Sequence, residues 1–149
     1  MTLQERLSAD LKQAMKGGDI ARRSVIRLLM AGVKNAEIDK GGPLDDSGVV
    51  EVISREVKRH RESIAEFSKG NRQDLVAEEE AELAILFEYL PKQMSREEIA
   101  EAARRIIEQV GAREPGDKGR VMSQLMPQLK GKAEGREVSD MVSELLAGS

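Results

Sequence analysis

The sequence has no cysteine and no tryptophan, and its only aromatic side chains are Phe67, Phe87 and Tyr89. Without cysteine there is no disulfide, no thiolate zinc site and no thiol nucleophile. Without aromatic platforms, readout of unpaired RNA bases by stacking is disfavoured. There is one histidine, His60, so neither a His-based metal set nor a His-dependent dyad has obvious material. No apolar run approaches the ~20 residues of a membrane-spanning helix, so no membrane partner is expected. The start, Met1-Thr2-Leu3-Gln4-Glu5-Arg6, lacks the basic start and apolar stretch of a secretory signal, and a cytoplasmic location is expected. No stretch alternates apolar and polar residues as a half-buried strand does.

What is present is aliphatic and charged. Leu, Ile, Val, Ala and seven Met must build the core of this 149-residue chain, a composition that suits helices. Helix punctuation is dense. Thr2 with Glu5 makes a capping box, and Gly17-Gly18 stops the helix it opens. Asp19 caps a second helix to about Asp39, with Val25, Leu29, Val33 and Ala36 on one stripe. Gly41-Gly42-Pro43 ends it. Asp46 or Ser47 caps a third, running to Gly70 through Val49, Ile53, Val57, Ile64 and Phe67.

A fourth helix spans Gln73 to Leu90 and stops at Pro91. Ser95 with Glu98 opens a fifth, which Gly111 closes, and 112–116 reads as a linker. Two more follow, Lys118–Leu129 and Arg136–Leu146, with Pro127 expected to kink or restart the first. The fold class is therefore all-α: a four-helix N-terminal subdomain over 1–91 and a three-helix C-terminal subdomain over 92–149.

Charge is unevenly spread within a net −3. Residues 1–43 carry eight basic and five acidic groups, residues 71–114 six and eleven, and residues 115–136 five and two. A local basic patch can hold phosphate on an acidic protein, weakly and with strong salt dependence.

His60 lies in the stripe Ile53, Val57, His60, Ile64, Phe67. Among Lys58, Arg59 and Arg61, with no carboxylate partner fixed by sequence, it is expected to have a depressed pKa and a packing role. Glu78, Glu79, Glu80 and Glu82 read as a solvated helix face. Gly111 to Lys118 has the outline of a phosphate-binding loop but fails as one. Asp117 stands where the lysine must be, no Ser or Thr follows it, and no strand precedes it. No catalytic residue, metal ligand or cofactor site is legible.

What remains are two Gly-rich basic turns, Lys118-Gly119-Arg120 and Lys130-Gly131-Lys132, with Arg136 just beyond the second. Glycine permits close approach of the backbone, and helix starts present free amides to phosphate. The same residues also serve as ordinary caps and solvated loops.

Several segments, taken together, resemble one family. They are Ser54-Arg55-Glu56-Val57-Lys58, Arg61-Glu62-Ser63-Ile64, Asp74-Leu75-Val76, Glu79-Glu80-Ala81-Glu82-Leu83 and Tyr89-Leu90-Pro91-Lys92-Gln93-Met94-Ser95. With Arg27-Leu28-Leu29, Lys34 to Asp39, and Leu129 to Gly135, they make essentially the whole chain similar to the GatB/YqeY family. The resemblance implies a stand-alone version of the C-terminal helical and tail region of the B subunit of tRNA-dependent amidotransferase. In that complex the tail grips the tRNA body.

The family label, carbon–nitrogen ligase activity with glutamine as amido-N-donor, belongs to the whole complex. Its nucleophile, magnesium–ATP site and ammonia tunnel have no counterpart in these residues. The resemblance further implies tRNA as partner, with an aminoacyl-tRNA synthetase or amidotransferase subunit alongside and no DNA. The positions it carries over as RNA contacts are Gly119, Arg120, Lys130, Gly131, Lys132 and Arg136, and Lys118 joins them as a charge where the family has Met. Arg120 stands for a usual Lys, and Ser123 for a usual Gly. The rival class is a protein-interaction adaptor that does not touch RNA.

Overall fold

A computed structural model describes residues 1–148. Four of the seven helices begin where a side-chain oxygen takes up a free amide and one follows a proline-led turn, and three end at a left-handed glycine. In order the seven are α1 (Leu3–Gly17), α2 (Ile20–Lys40), α3 (Asp46–Lys69), α4 (Gln73–Glu88), α5 (Arg96–Val110), α6 (Lys118–Leu129) and α7 (Gly135–Ala147), with a 3₁₀ turn at Pro115–Asp117. Among the described residues there is no strand, so the fold is all-α. Both capping boxes form, Thr2 with Glu5 and Ser95 with Glu98. Gly18 and Gly111 close α1 and α5 at φ of 70° and 69°.

Three local readings are corrected. The cap of α3 is Asp45, one residue before the two expected, and its carboxylate accepts from the Gly48 amide at 2.9 Å. Helix α4 ends at Glu88, because Tyr89 and Leu90 turn toward the proline. Helix α6 continues through Pro127 to Leu129 without restarting. Proline this close to the end costs one intrahelical bond, and Val121, Leu125 and Leu129 keep one buried face across it.

The chain forms two compact units, Met1–Leu90 and a second beginning at Pro91. In the first, α3 packs on α4, α1 on α2, and α2 on both α3 and α4. Leu7, Val25, Ile26, Leu29, Ile53 and Leu86 make its centre. Gly32 lets α2 and α3 approach closely, since a Cβ there would stand 2.9 Å from a Val52 methyl. In the second unit α5, α6 and α7 pack on one another around Ile99, Ala103, Val121, Leu125, Val138 and Val142.

The α3–α4 seam corrects the reading of His60. The ring is buried, at 6% exposure, yet it is not without carboxylates. Its Nδ1 lies 2.9 Å from the Glu56 carbonyl and its Nε2 3.1 Å from a Glu82 carboxylate oxygen, with Glu79 at 3.5 Å. The Glu56 carbonyl and an ionised Glu82 both accept, so the imidazolium form, with both ring nitrogens donating, is the one these neighbours favour. Burial opposes that charge, but the Glu82 bond, the Glu56 carbonyl and the field of Glu79 and Glu82 outweigh it, and the pKa is raised. These acids come from α4, an element away in sequence, which is why the α3 stripe alone suggested the opposite direction.

A raised folded pKa adds stability that is complete below the unfolded value of about 6.5 and is lost as pH climbs through the folded value. The urea midpoint of the first unit is therefore expected to fall from pH 6 to pH 9, and His60→Gln to flatten that dependence. Equal slopes in the two proteins would remove His60 as the cause.

Candidate nucleic-acid interface

The basic candidates fall at the two ends of α6. Lys118, Gly119 and Arg120 form its first turn, while Lys130, Gly131 and Lys132 follow its last. The nine residues Val121–Leu129 separate the two clusters by roughly 14 Å of helix. Arg136, the second residue of α7, lies with the latter group. The structure thus brings four of the seven together and sets three apart.

The first cluster is largely occupied by the protein itself. Asp117 accepts from the Arg113 and Glu114 amides at 3.0 and 3.3 Å. Those two amides first, then Arg120, hold its carboxyl below the usual carboxylate range. The chain's own carboxylate therefore sits on the amides that a phosphate would need. Arg120, though exposed, is engaged too, donating to the Val110 carbonyl at 3.0 Å and to Asp117 at 3.2 Å. In that position it clamps the α5–α6 connection. Lys118 is half-buried, and Gly119 is exposed.

The second cluster is different in kind. Gly131 takes φ of 77°, a left-handed conformation that a side chain resists, and it is buried. The Gln93 side-chain amide donates to the Gly131 carbonyl at 2.8 Å and to the Pro91 carbonyl at 2.8 Å. The Met94 amide donates to the Lys132 carbonyl at 2.8 Å, and the Lys132 amide to that of Leu129 at 2.9 Å. Three backbone-directed bonds thus fix the turn, while Lys130, Lys132 and Arg136 remain exposed. Helix α7 starts after Glu134, whose side chain makes no cap hydrogen bond to the first amides. Glu134 and Glu137 interleave with the cations and keep the local field modest.

Gln93 is the residue that sequence reasoning left without a role. It sits in the segment that carries the family resemblance, yet its partner is 38 residues away. The available signal was a long amide side chain just after Pro91-Lys92, ahead of the Ser95 cap, where no helix uses it.

The profile of the family described as Yqey-like protein matches residues 4–146. Among curated relatives, "Altered inheritance of mitochondria protein 41, mitochondrial" of Lachancea thermotolerans is 44% identical over 85 residues, covering 56% of this chain and 46% of the relative. The protein of that name from Kluyveromyces lactis is 38% identical over 113 residues, 73% of this chain and 60% of the relative. The one from Pyrenophora tritici-repentis is 33% identical over 147 residues, 95% of this chain and 79% of the relative. The chain spans about half the length of the first of these.

Their names overturn the cytoplasmic location expected from the sequence, since each is a mitochondrial protein. That expectation rested on the lack of a secretory signal, which speaks to export and not to an organelle. The chain belongs to the YqeY-like family.

Proposed function

We propose that this chain is an accessory module that binds tRNA without chemistry of its own, with the turn Lys130-Gly131-Lys132 and Arg136 as its principal contact. The observation that carries the reading is the fixation of that turn by Gln93 and Met94 beneath outward cations. A rigid cationic turn loses little entropy on meeting phosphate, and backbone recognition by shape needs no aromatic platform. Lys118, Gly119 and Arg120 contribute a second, weaker contact, since Arg120 already serves Asp117. The resemblance to the amidotransferase tail supplies tRNA as the nucleic acid, with a synthetase or amidotransferase subunit as the enzyme served.

The test is binding of labelled bulk tRNA across a salt series, with duplex DNA as control. The triple variant Lys130→Glu, Lys132→Glu, Arg136→Glu is expected to weaken binding at least tenfold. It should also reduce the log–log salt slope by about 2–3 while helix content stays constant. A folded triple variant with unchanged affinity would sink the reading. The adaptor reading has one observation in its favour, the acidic exposed side of α4 at Asp74, Glu78 and Glu80. It is selected if tRNA fails to bind even at low salt and protein partners survive nuclease treatment.

A further inference from the structure

Among the described residues, every large apolar side chain left exposed lies within the first 38: Met1, Met15, Ile20, Leu28, Met30 and Ile38. Four of these belong to α2. That helix buries Val25, Ile26, Leu29 and Val33. Its opposite ridge runs Ile20, Arg23, Arg27, Ala31, Lys34, Ile38, at intervals of three or four, so these residues share one face. All are exposed except Arg23, which is half-buried.

The ridge carries no carboxylate. Glu37 is turned to the Gln4 amide and the Leu44 backbone amide, and Asp39 falls outside the spacing. Arg22, on another side of the helix, is committed to Glu88 at 2.9 Å. Among the described residues, Arg23, Arg27 and Lys34 make no ion pair.

Three unmatched cations call for an anionic occupant, and the aliphatic residues among them decide its kind. A phosphate backbone satisfies Arg27 and Lys34 but gives Ile20 and Ile38 nothing to bury against. A membrane surface wants cations flanking an apolar face, whereas here they stand between the two isoleucines and would be driven toward the acyl region. A two-fold copy would set cations against cations.

We propose that the α2 ridge docks a partner protein that presents carboxylates opposite Arg23, Arg27 and Lys34 and apolar side chains opposite Ile20 and Ile38. This is helix recognition through regularly spaced anchors, on the first unit and independent of the tRNA contact in the second.

The test places a photo-crosslinking amino acid at Ala31 of the full chain, in its source cells, and identifies the peptide captured. A control chain carries it at Ala81, exposed on α4. The expected result is nuclease-resistant adducts to protein segments rich in Asp and Glu. These should drop at least tenfold with Arg27→Glu plus Lys34→Glu, fall severalfold with Ile38→Ser, and be untouched by the triple reversal at 130, 132 and 136. Adducts that are nuclease-sensitive, lipid or a second copy of the chain would overturn the proposal. So would capture no stronger than at Ala81, or adducts indifferent to the charge reversal.

Discussion

Leu125→Ala is expected to unfold the second unit while leaving the first intact. Leu125 is fully buried at the centre of α6, between Val121 and Leu129, with α5 and α7 packed around it. Truncating such a leucine costs about 2–5 kcal/mol, from lost transfer energy plus the cavity left behind. A unit of about sixty residues has little to spare, because it buries a smaller fraction of its surface than a larger domain does. The loss is comparable to the whole stability such a unit can hold.

Thermal unfolding followed by circular dichroism should show the change as a partial loss of helix already present at 25 °C, with a remaining cooperative transition from α1–α4. Native-state hydrogen exchange should show amides of α5, α6 and α7 exchanging freely while those of α3 stay protected. A single cooperative transition, shifted as a whole, would mean that the two units stabilise each other.

The helices were legible because their signals are local. A capping box joins residues three apart, so Thr2 with Glu5 and Ser95 with Glu98 could be read directly and both form. Where several candidates stand in a row, the sequence loses resolution. Asp45, Asp46 and Ser47 all offer oxygens, and Asp45 takes the cap while Asp46 accepts from the Leu3 amide at 3.0 Å, 43 residues away. No local rule contains that partner.

The same distance hides the chemistry. His60 draws Glu79 and Glu82 from another helix, and Gln93 reaches Gly131 across the second unit. Glycine at 131 suggested a close approach, and the structure shows that one party to it is the chain's own Gln93. Asp117 was legible as hostile to phosphate, but its grip on the Arg113 and Glu114 amides was not. Lysines and arginines were countable in advance. What could not be counted is which are spent internally, as Arg120 and Arg22 are, and which, as Arg27 and Lys34, are left over.

Tyr89→Ala is the second change with a large expected effect, and it separates packing from hydrogen bonding. The ring is 2% exposed, the largest of the fully buried side chains, and it sits at the end of α4 where the first unit ends. Its hydroxyl donates to Asp10 at 2.6 Å, and the Arg6 guanidinium lies over its face at 4.6 Å. Burial first, and then the bond to Asp10, push the phenol up to about 12, so it remains a neutral donor throughout the working range. Arg6 also donates to the Glu88 carbonyl at 3.0 Å and Arg22 pairs with the Glu88 side chain at 2.9 Å, so this corner ties α1 and α2 to the last residues of α4.

Removing the ring is expected to cost about 3–5 kcal/mol, the range for a large buried aromatic. Tyr89→Phe keeps the ring and the contact with Arg6 but removes the donor. Asp10 is partly exposed and can turn to water, so the expected cost is only about 1 kcal/mol. Urea denaturation of the two variants at one pH gives the partition. If Tyr89→Phe proves as damaging as Tyr89→Ala, the hydrogen bond to Asp10 and not the packing of the ring holds this corner. If both changes are mild, the corner is able to collapse around the vacancy, and the first unit does not depend on its sole tyrosine.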